Sequence, residues 1–505
     1  MKLSNAADVT QDNKKDIAKG AGANFGGFLI RLGARIPFLL LVGHLYGAGI
    51  FGQFVFAVTY VETLSVLAVF GFKRSIFKFL NGHIRDRNMP EAGTAVLNCL
   101  MIVLSFAALI VLATYLGNPL LDSLFGKDMA AAALILAPAI LLYSLTEILL
   151  ASTRAFRMMR YEIFTKSIME PYSLLIFGTI FYFLGMKGQG LLFAYLFMIS
   201  LSFSSALYGF FRIFSISHLR GFIPDFGLIR SMLTFSGPTA VYDLGNFFLQ
   251  RIDVFLLSGL TSSSTVGIYG MALNVATTVK KIRQSFDPIL EPVLSQSVES
   301  DDLKKTVSEM AQVSYWMASI QVIIVVLLFF YGSALMSLFG SDFAVAGLIL
   351  SLIILGDAVN GSLGISELLL LYKRPSINPM IIAVMTPFHL GLCYLLIGLL
   401  GGEGAALSIL ITYVVMNILR LVIVRRLFEI FPLDARLLRP LCAGGVAILM
   451  LSMGGRVIQL DSLPGVLAGL LVVIPCYFAL IFLFSSTVEK QKIRSLLPVG
   501  RTVNE

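Results

Sequence analysis

"NFFLQRIDVFLLSG", Asn246–Gly259, reads as part of a membrane span. It nevertheless carries Arg251 and Asp253 in its middle, Gln250 and Asn246 beside them, and Asp243 just upstream. A charge at the centre of a bilayer costs about 2.5–3.5 kcal/mol on insertion scales, so such groups persist where they are paired or hydrated. On a helix turning about 100° per residue, Asp243, Asn246, Gln250 and Asp253 fall within one sector about 80° wide. Arg251 lies beside that sector, flanking Asp243. The stretch therefore predicts a polar surface buried inside a protein that lives in a membrane.

The composition agrees. Of 505 residues, 57% are hydrophobic and 13% charged, with a mean hydropathy of +0.88; a soluble domain carries about 25% charged residues. Apolar runs recur along the whole chain, which makes it a polytopic membrane protein. Cys99, Cys393, Cys442 and Cys476 fall in apolar runs without metal-ligand spacing and read as small core residues. The first residues, MKLSNAADVTQDNKKDIAKGAG, lack the apolar core of a cleaved signal peptide.

Windows of about 20 apolar residues place fourteen spans, near 24–44, 49–71, 92–117, 129–151, 167–186, 189–211 and 231–258, then 261–279, 312–338, 343–370, 377–400, 402–419, 440–455 and 463–485. With both termini inside, 32 of the 38 Lys and Arg residues lie in inside segments. Lys127, Lys187 and Arg456 alone lie outside, and Arg31, Arg35 and Arg251 lie within spans. That asymmetry is the positive-inside pattern of an even number of spans. It also accounts for the net charge of +9 without a nucleic-acid partner. The outside loops are short, which leaves little room there for a catalytic domain.

The chain contains its own copy. "LYGAGIFGQFVFAV" (Leu45–Val58) matches "LTSSSTVGIYGMALNV" (Leu260–Val275), each with a Gly–Ile–aromatic element at the start of a span. "TEILLASTR" (Thr146–Arg154) matches "SELLLLYKR" (Ser366–Arg374), with Glu147 and Glu367 in register. A six-span period puts the two copies in the membrane in the same orientation. The expected fold is all-α: about fourteen transmembrane helices in two parallel-repeat six-helix lobes, plus a C-terminal helix pair. Its parts are a cytoplasmic segment 1–23, an N-lobe 24–211 (spans 1–6), a cytoplasmic linker 212–230, a C-lobe 231–419 (spans 7–12), accessory spans within 440–485 and a cytoplasmic tail 486–505.

No G-x-x-x-x-G-K-[ST] or H-E-x-x-H occurs, so neither a nucleotide loop nor a zinc-protease helix is encoded. Asp301-Asp302 lie in the mixed-charge "SVESDDLKKTVSEM", which reads as a solvated helix rather than a metal site. Arg31 and Arg35, four apart in span 1, share a face. The sequence leaves bland roles open for several of these groups. Arg31 is near enough to the span end to snorkel, and Arg251 can pair with Asp243 or with a carboxylate of another span. Glu62 (span 2) and Asp357 (span 10) can cap a backbone, pair with an arginine or carry coupling ions.

"FLIRLGARIPFLLLVGHLYGAGIFGQFVFAV" and Leu233–Val275, with its R-x-D and V-G-x-Y, resemble the polysaccharide-transporter branch (Wzx-type O-antigen and oligosaccharide flippases) of the multidrug/oligosaccharidyl-lipid/polysaccharide exporter superfamily. The resemblance extends over nearly the whole chain through the span count and the repeat. It implies a non-enzymatic transporter of the bacterial inner membrane that works by alternating access. Its cargo would be an undecaprenyl-pyrophosphate-linked oligosaccharide, the repeat unit of O-antigen, capsule or exopolysaccharide. Membrane lipids would surround it, and a polysaccharide polymerase and export machinery would be partners. No cofactor is implied; proton or sodium coupling stays open. The transport cavity expected on this basis uses Arg31, Arg35, Asp243, Asn246, Gln250, Arg251 and Asp253, with Glu62 and Asp357 as candidates for ion coupling. An ion-coupled multidrug exporter of the same superfamily is the nearest alternative, and a membrane polysaccharide polymerase or ligase the next.

The charge asymmetry generates a direct test. A reporter active only outside the cytoplasm stays silent when fused after Glu505 and is active when inserted in 118–128; the opposite result at either site excludes the fourteen-span topology.

Overall fold

The computed structural model describes residues 26–219, 222–284, 303–454 and 463–484. The segments expected as cytoplasmic ends (1–23 and 486–505) and the Asp301–Asp302 pair lie outside the described residues. Among those described, every regular element is helical. In order they are α1 (26–41, continued by a π-helical turn Val42–Tyr46), α2 (Gly47–Val69), α3 (Phe72–Arg85), α4 (Met89–Leu116), α5 (Asn118–Phe125), α6 (Lys127–Ala155) and α7 (Met159–Phe164). After a π-helical turn at Thr165–Met169 come α8 (Glu170–Phe183), α9 (Gly190–Phe211), α10 (Ile216–Leu219), α11 (Phe226–Leu260) and α12 (Ser263–Gln284). The remainder are α13 (Leu303–Ser337), α14 (Gly347–Leu363), α15 (Ser366–Lys373), α16 (Ile377–Leu400), α17 (Gly402–Phe428), α18 (Leu438–Gly454) and α19 (Leu463–Phe484).

Each expected span falls on one or two of these helices. Nine helical stretches among the described residues are long and apolar enough to cross a membrane by length and composition. α11 is not one of them, because the polar residues of its middle lower its hydropathy. Large apolar side chains are exposed throughout, among them Leu116, Phe183, Leu399 and Leu471 at 74–77%, as suits a surface bathed in lipid rather than water. The same environment explains Cys442, expected in the core but exposed: an apolar residue facing hydrocarbon gains nothing from burial. Several hydroxyls inside the helices are satisfied locally. Thr59 donates to the Val55 carbonyl (2.8 Å), Thr63 to that of Thr59 (2.6 Å) and Ser144 to that of Ile140 (2.7 Å).

Packing divides the chain into two units. The first takes in the described residues up to Met271, with Leu338–Phe343 and Ile382–Ala405; the second takes in Ala272–Ser337, Ala344–Ile381 and the described residues from Ala406 onward. α11, which opens the C-lobe of the sequence repeat, thus packs with α2, α3 and α4 in the first unit. The lobe boundaries at 24–211 and 231–419 remain a proposal about the repeat, distinct from these packing units. The core of the first unit gathers Phe72, Ile76 and Leu80 of α3 with Val96 and Cys99 of α4, Ile148 of α6, Phe210 of α9 and Met232 of α11. In the second, Tyr315, Ile323 and Val326 of α13 pack with Ala443, Ala447 and Leu451 of α18 and Val473, Tyr477 and Ile481 of α19. The Tyr477 hydroxyl donates to the Ser319 carbonyl at 3.0 Å. The two accessory spans are therefore built onto α13.

Two repeat-related segments meet inside the first unit. α2 and α12 cross so closely that a Cβ on Gly52 would strike the Ser263 carbonyl, and one on Gly267 would strike that of Ala48. Without a hydrophobic drive between helices in lipid, such small-residue crossings hold spans together by backbone contact. Overpacking of this kind costs typically about 1–3 kcal/mol. Gly52→Val and Gly267→Val should therefore each lower the thermal midpoint of the detergent-purified protein by several degrees. Gly82→Ala, at a position with open space around it, should not; equal midpoints in all three variants would contradict the crossing.

Candidate functional site

The turn between α2 and α3 positions the site. α2 ends with Phe70 and Gly71 in the left-handed region, at φ 49° and 73°. Gly71 lies against α11, where an added Cβ would sit 2.8 Å from the Ala240 nitrogen and 2.9 Å from the Ser236 carbonyl. The next turn is pinned by a Ser75–Ser236 hydroxyl hydrogen bond of 2.5 Å. Backbone conformation and close approach both demand glycine here. Once α3 is docked in this way, Lys73 and Arg74 on its first turn stand beside the middle of α11.

A cavity of about 410 Å³ opens at this point. α11 contributes Asp243, Asn246 and Gln250, α3 contributes Lys73 and Arg74, and α6 contributes Tyr143, Glu147 and Arg154. Phe77 and Phe247 supply aromatic wall. The cations are the more exposed members: the Lys73 and Arg74 side chains are 47% and 64% exposed, against 7% and 20% for Glu147 and Asp243. Lys73 Nζ lies 2.5 Å from Glu147 Oε2, and Arg74 Nη2 lies 3.3 Å from Asp243 Oδ1. Glu147 holds a second ammonium through its other oxygen, Lys166 Nζ at 2.9 Å, and Lys166 in turn contacts Glu170 Oε1 at 2.7 Å. Arg154 Nε pairs with Glu162 Oε2 at 3.2 Å.

The other residues expected from the sequence lie elsewhere in the same unit, with one exception. Asp253 does not share the cavity. It is fully buried, accepts from the Tyr269 hydroxyl on α12, and takes the Val254 backbone N–H at 2.9 Å. The polar stripe thus ends at Gln250, because the following turn of α11 faces α12 and its carboxylate is met there by a phenol. Arg251 turns to Glu62 of α2, with Nη2 3.8 Å from Oε2. Arg31 donates from Nη2 to Ser167 Oγ at 3.2 Å. Arg35, one turn along α1, lies within electrostatic range of Arg31, Arg251 and Glu62. These residues form a second cluster of three guanidiniums and one carboxylate. The π-helical turn Thr165–Met169 touches both clusters: Lys166 reaches Glu147 and Ser167 reaches Arg31. Asp357 belongs to the second unit, where Lys280 Nζ meets its Oδ1 at 2.8 Å.

Sequence reasoning missed Lys73, Arg74, Glu147, Arg154 and Lys166. Four are basic residues of inside segments, where they counted as topology markers, and Glu147 served as a landmark of the repeat. The available signal was "GFKR" (Gly71–Arg74), a glycine break followed at once by two cations. Chemically the cavity pairs guanidinium and ammonium groups, which suit phosphoryl oxygens, with amide and carboxylate groups that hydrogen-bond hydroxyls.

The family model described as polysaccharide biosynthesis protein matches residues 17–298, more than half of the chain. A comparison with curated proteins finds no match. Among solved structures, a lipid II flippase MurJ in an inward closed conformation superposes with a TM-score of 0.72 at 15% identity, covering 92% of this chain and 97% of that one. A multidrug resistance MATE family transporter of the MOP superfamily, in an inward-facing conformation, gives 0.58 at 16% identity over 80% and 98% of the two chains. A eukaryotic MATE transporter gives 0.54 at 16% identity over 82% and 96%. At these identities the likeness is one of fold. The chain belongs to the polysaccharide biosynthesis protein family, and it is built on the fold of a lipid II flippase and of multidrug resistance transporters.

Proposed function

We propose that this protein is a flippase of the bacterial inner membrane, with both termini cytoplasmic. By alternating access it carries an undecaprenyl-pyrophosphate-linked oligosaccharide, the repeat unit of O-antigen, capsule or exopolysaccharide, between leaflets. The observation that carries the reading is the cavity beside α11, which sets exposed cations against amide and carboxylate groups among apolar helices. A lipid-linked sugar diphosphate has the complementary parts. Its phosphoryl oxygens accept from Lys and Arg, its hydroxyls exchange hydrogen bonds with Asp243, Asn246 and Gln250, and its isoprenoid chain stays in lipid. The protein supplies binding and orientation and breaks no bond of its cargo. Polymerase and export machinery would then take up the delivered unit.

The fold shared with multidrug transporters favours a second reading, ion-coupled export of amphiphilic drugs. Such cargo is apolar and often cationic, and would be repelled by the exposed Lys73 and Arg74 that line the cavity.

Deleting the gene should abolish one surface or exported polysaccharide, with lipid-linked repeat units retained on the cytoplasmic leaflet. Intact polysaccharide in a strain without a redundant flippase contradicts the substrate class. In the complemented strain, Arg35→Ala and Arg251→Ala should reduce export by about tenfold or more at near-normal membrane levels, the scale of one charge-assisted contact. Asn246→Cys should react with a water-soluble thiol reagent and be protected by substrate; labelling from lipid only, or normal export by both alanine variants, would make these residues structural.

A further inference from the structure

We infer that Lys73 and Arg74 form the seat for the diphosphate of the transported lipid, and that Glu147 and Asp243 are resident counter-ions which that diphosphate displaces. The inference rests on the flippase reading and locates, within the cavity, the group that recognises the cargo.

Four observations lead to it. First, the two cations are consecutive, fixed by the Gly71 turn and the Ser75–Ser236 bond, and line the cavity with side chains far more exposed than those of their carboxylate partners. To an anion in the cavity they are the more accessible pair of groups. Second, they sit on the first turn of α3, a 14-residue helix that begins at Phe72 after the Gly71 cap. The helix dipole adds positive potential at the same place. Third, Glu147 is buried and shared between two ammoniums. If Lys73 swings to a ligand, Glu147 keeps Lys166, so no bare charge is left in low dielectric. A carboxylate held by one cation alone would resist that exchange, because its loss would leave a buried charge uncompensated. Lys166 is itself held by Glu170. Fourth, Asp243 is partly open to the cavity and can be hydrated when Arg74 leaves it. Two cations that exchange carboxylates for phosphoryl oxygens suit a ligand with adjacent negative groups, and Arg74 can engage two of its oxygens at once.

The site can therefore stay neutralised when empty and bind an anion without reorganising its buried residues. Glu147 competes with cargo for Lys73, and removing it should have the opposite sign to removing the cation.

The test is binding of inorganic pyrophosphate to the full chain, purified in neutral detergent, read by isothermal titration at fixed ionic strength. Pyrophosphate should bind, and a polyprenyl diphosphate in mixed micelles should compete with it. Lys73→Gln and Arg74→Gln, at half-exposed positions whose loss leaves Glu147 paired and Asp243 hydrated, should each weaken binding about tenfold or more. Glu147→Gln should tighten it about threefold, the scale of losing one competing ion pair. Absence of pyrophosphate binding, unchanged binding in both cation variants, or weakening by Glu147→Gln equal to that of Lys73→Gln would each overturn the assignment. Competition by phosphatidylglycerol equal to that of the polyprenyl diphosphate would overturn it too, in favour of a bulk lipid headgroup. The titration reads the seat and the polysaccharide phenotype reads the cargo, so either can fail without the other.

Discussion

A charged side chain removed from water needs either a partner or a cavity, and the first unit of this protein meets that requirement in both ways around one carboxylate. Glu147 is buried between Lys73 and Lys166. Lys166 ties it to the π-helical turn before α8, and Lys73 ties it to the start of α3. Through these two bonds α3, α6 and the α7–α8 segment are held around the same space, and the α2–α3 glycine turn brings α11 to its edge. Loss of the carboxylate would leave two neighbouring ammoniums to repel each other. The same arrangement that makes the packing tolerable also leaves exposed cations in the cavity, and the proposed recognition of an anionic cargo rests on it.

Much of the fold was legible because hydrocarbon imposes simple demands. Among the described residues every expected span falls on helix, since a chain in lipid must satisfy its backbone internally and apolar length alone marks where it crosses. The repeat was legible in Gly267-Ile268-Tyr269, and the structure gives that element two physical uses: Gly267 permits the crossing with α2, and Tyr269 donates to Asp253. The face shared by Asp243, Asn246 and Gln250 followed from spacings of three and four residues.

What could not be read was where each polar group finds its partner. Asp253 falls in the same helical sector as Asn246, yet α12 supplies a phenol at that level, and no periodicity within α11 foretells a neighbour's side chain. Lys73, Arg74 and Lys166 were hidden by the rule from which the topology was inferred. Basic residues at span ends normally reflect insertion, and only tertiary structure separates those facing a cavity from those marking the inner leaflet. The packing units likewise differ from the lobes proposed from the repeat, because α11 packs on α2, α3 and α4. A repeat records similarity between segments, whereas a packing unit records which faces are covered.

The central claim is that this chain moves a diphosphate-linked oligosaccharide lipid between leaflets. Its most direct measurement uses the purified protein reconstituted into vesicles that contain a polyprenyl-diphosphate oligosaccharide. The rate at which sugar on the inner leaflet becomes accessible to an added, membrane-impermeant glycosidase is compared with protein-free vesicles. The account predicts a protein-dependent rate that excess inorganic pyrophosphate slows. A rate equal to that of protein-free vesicles, in preparations that still move an amphiphilic organic cation, would contradict it.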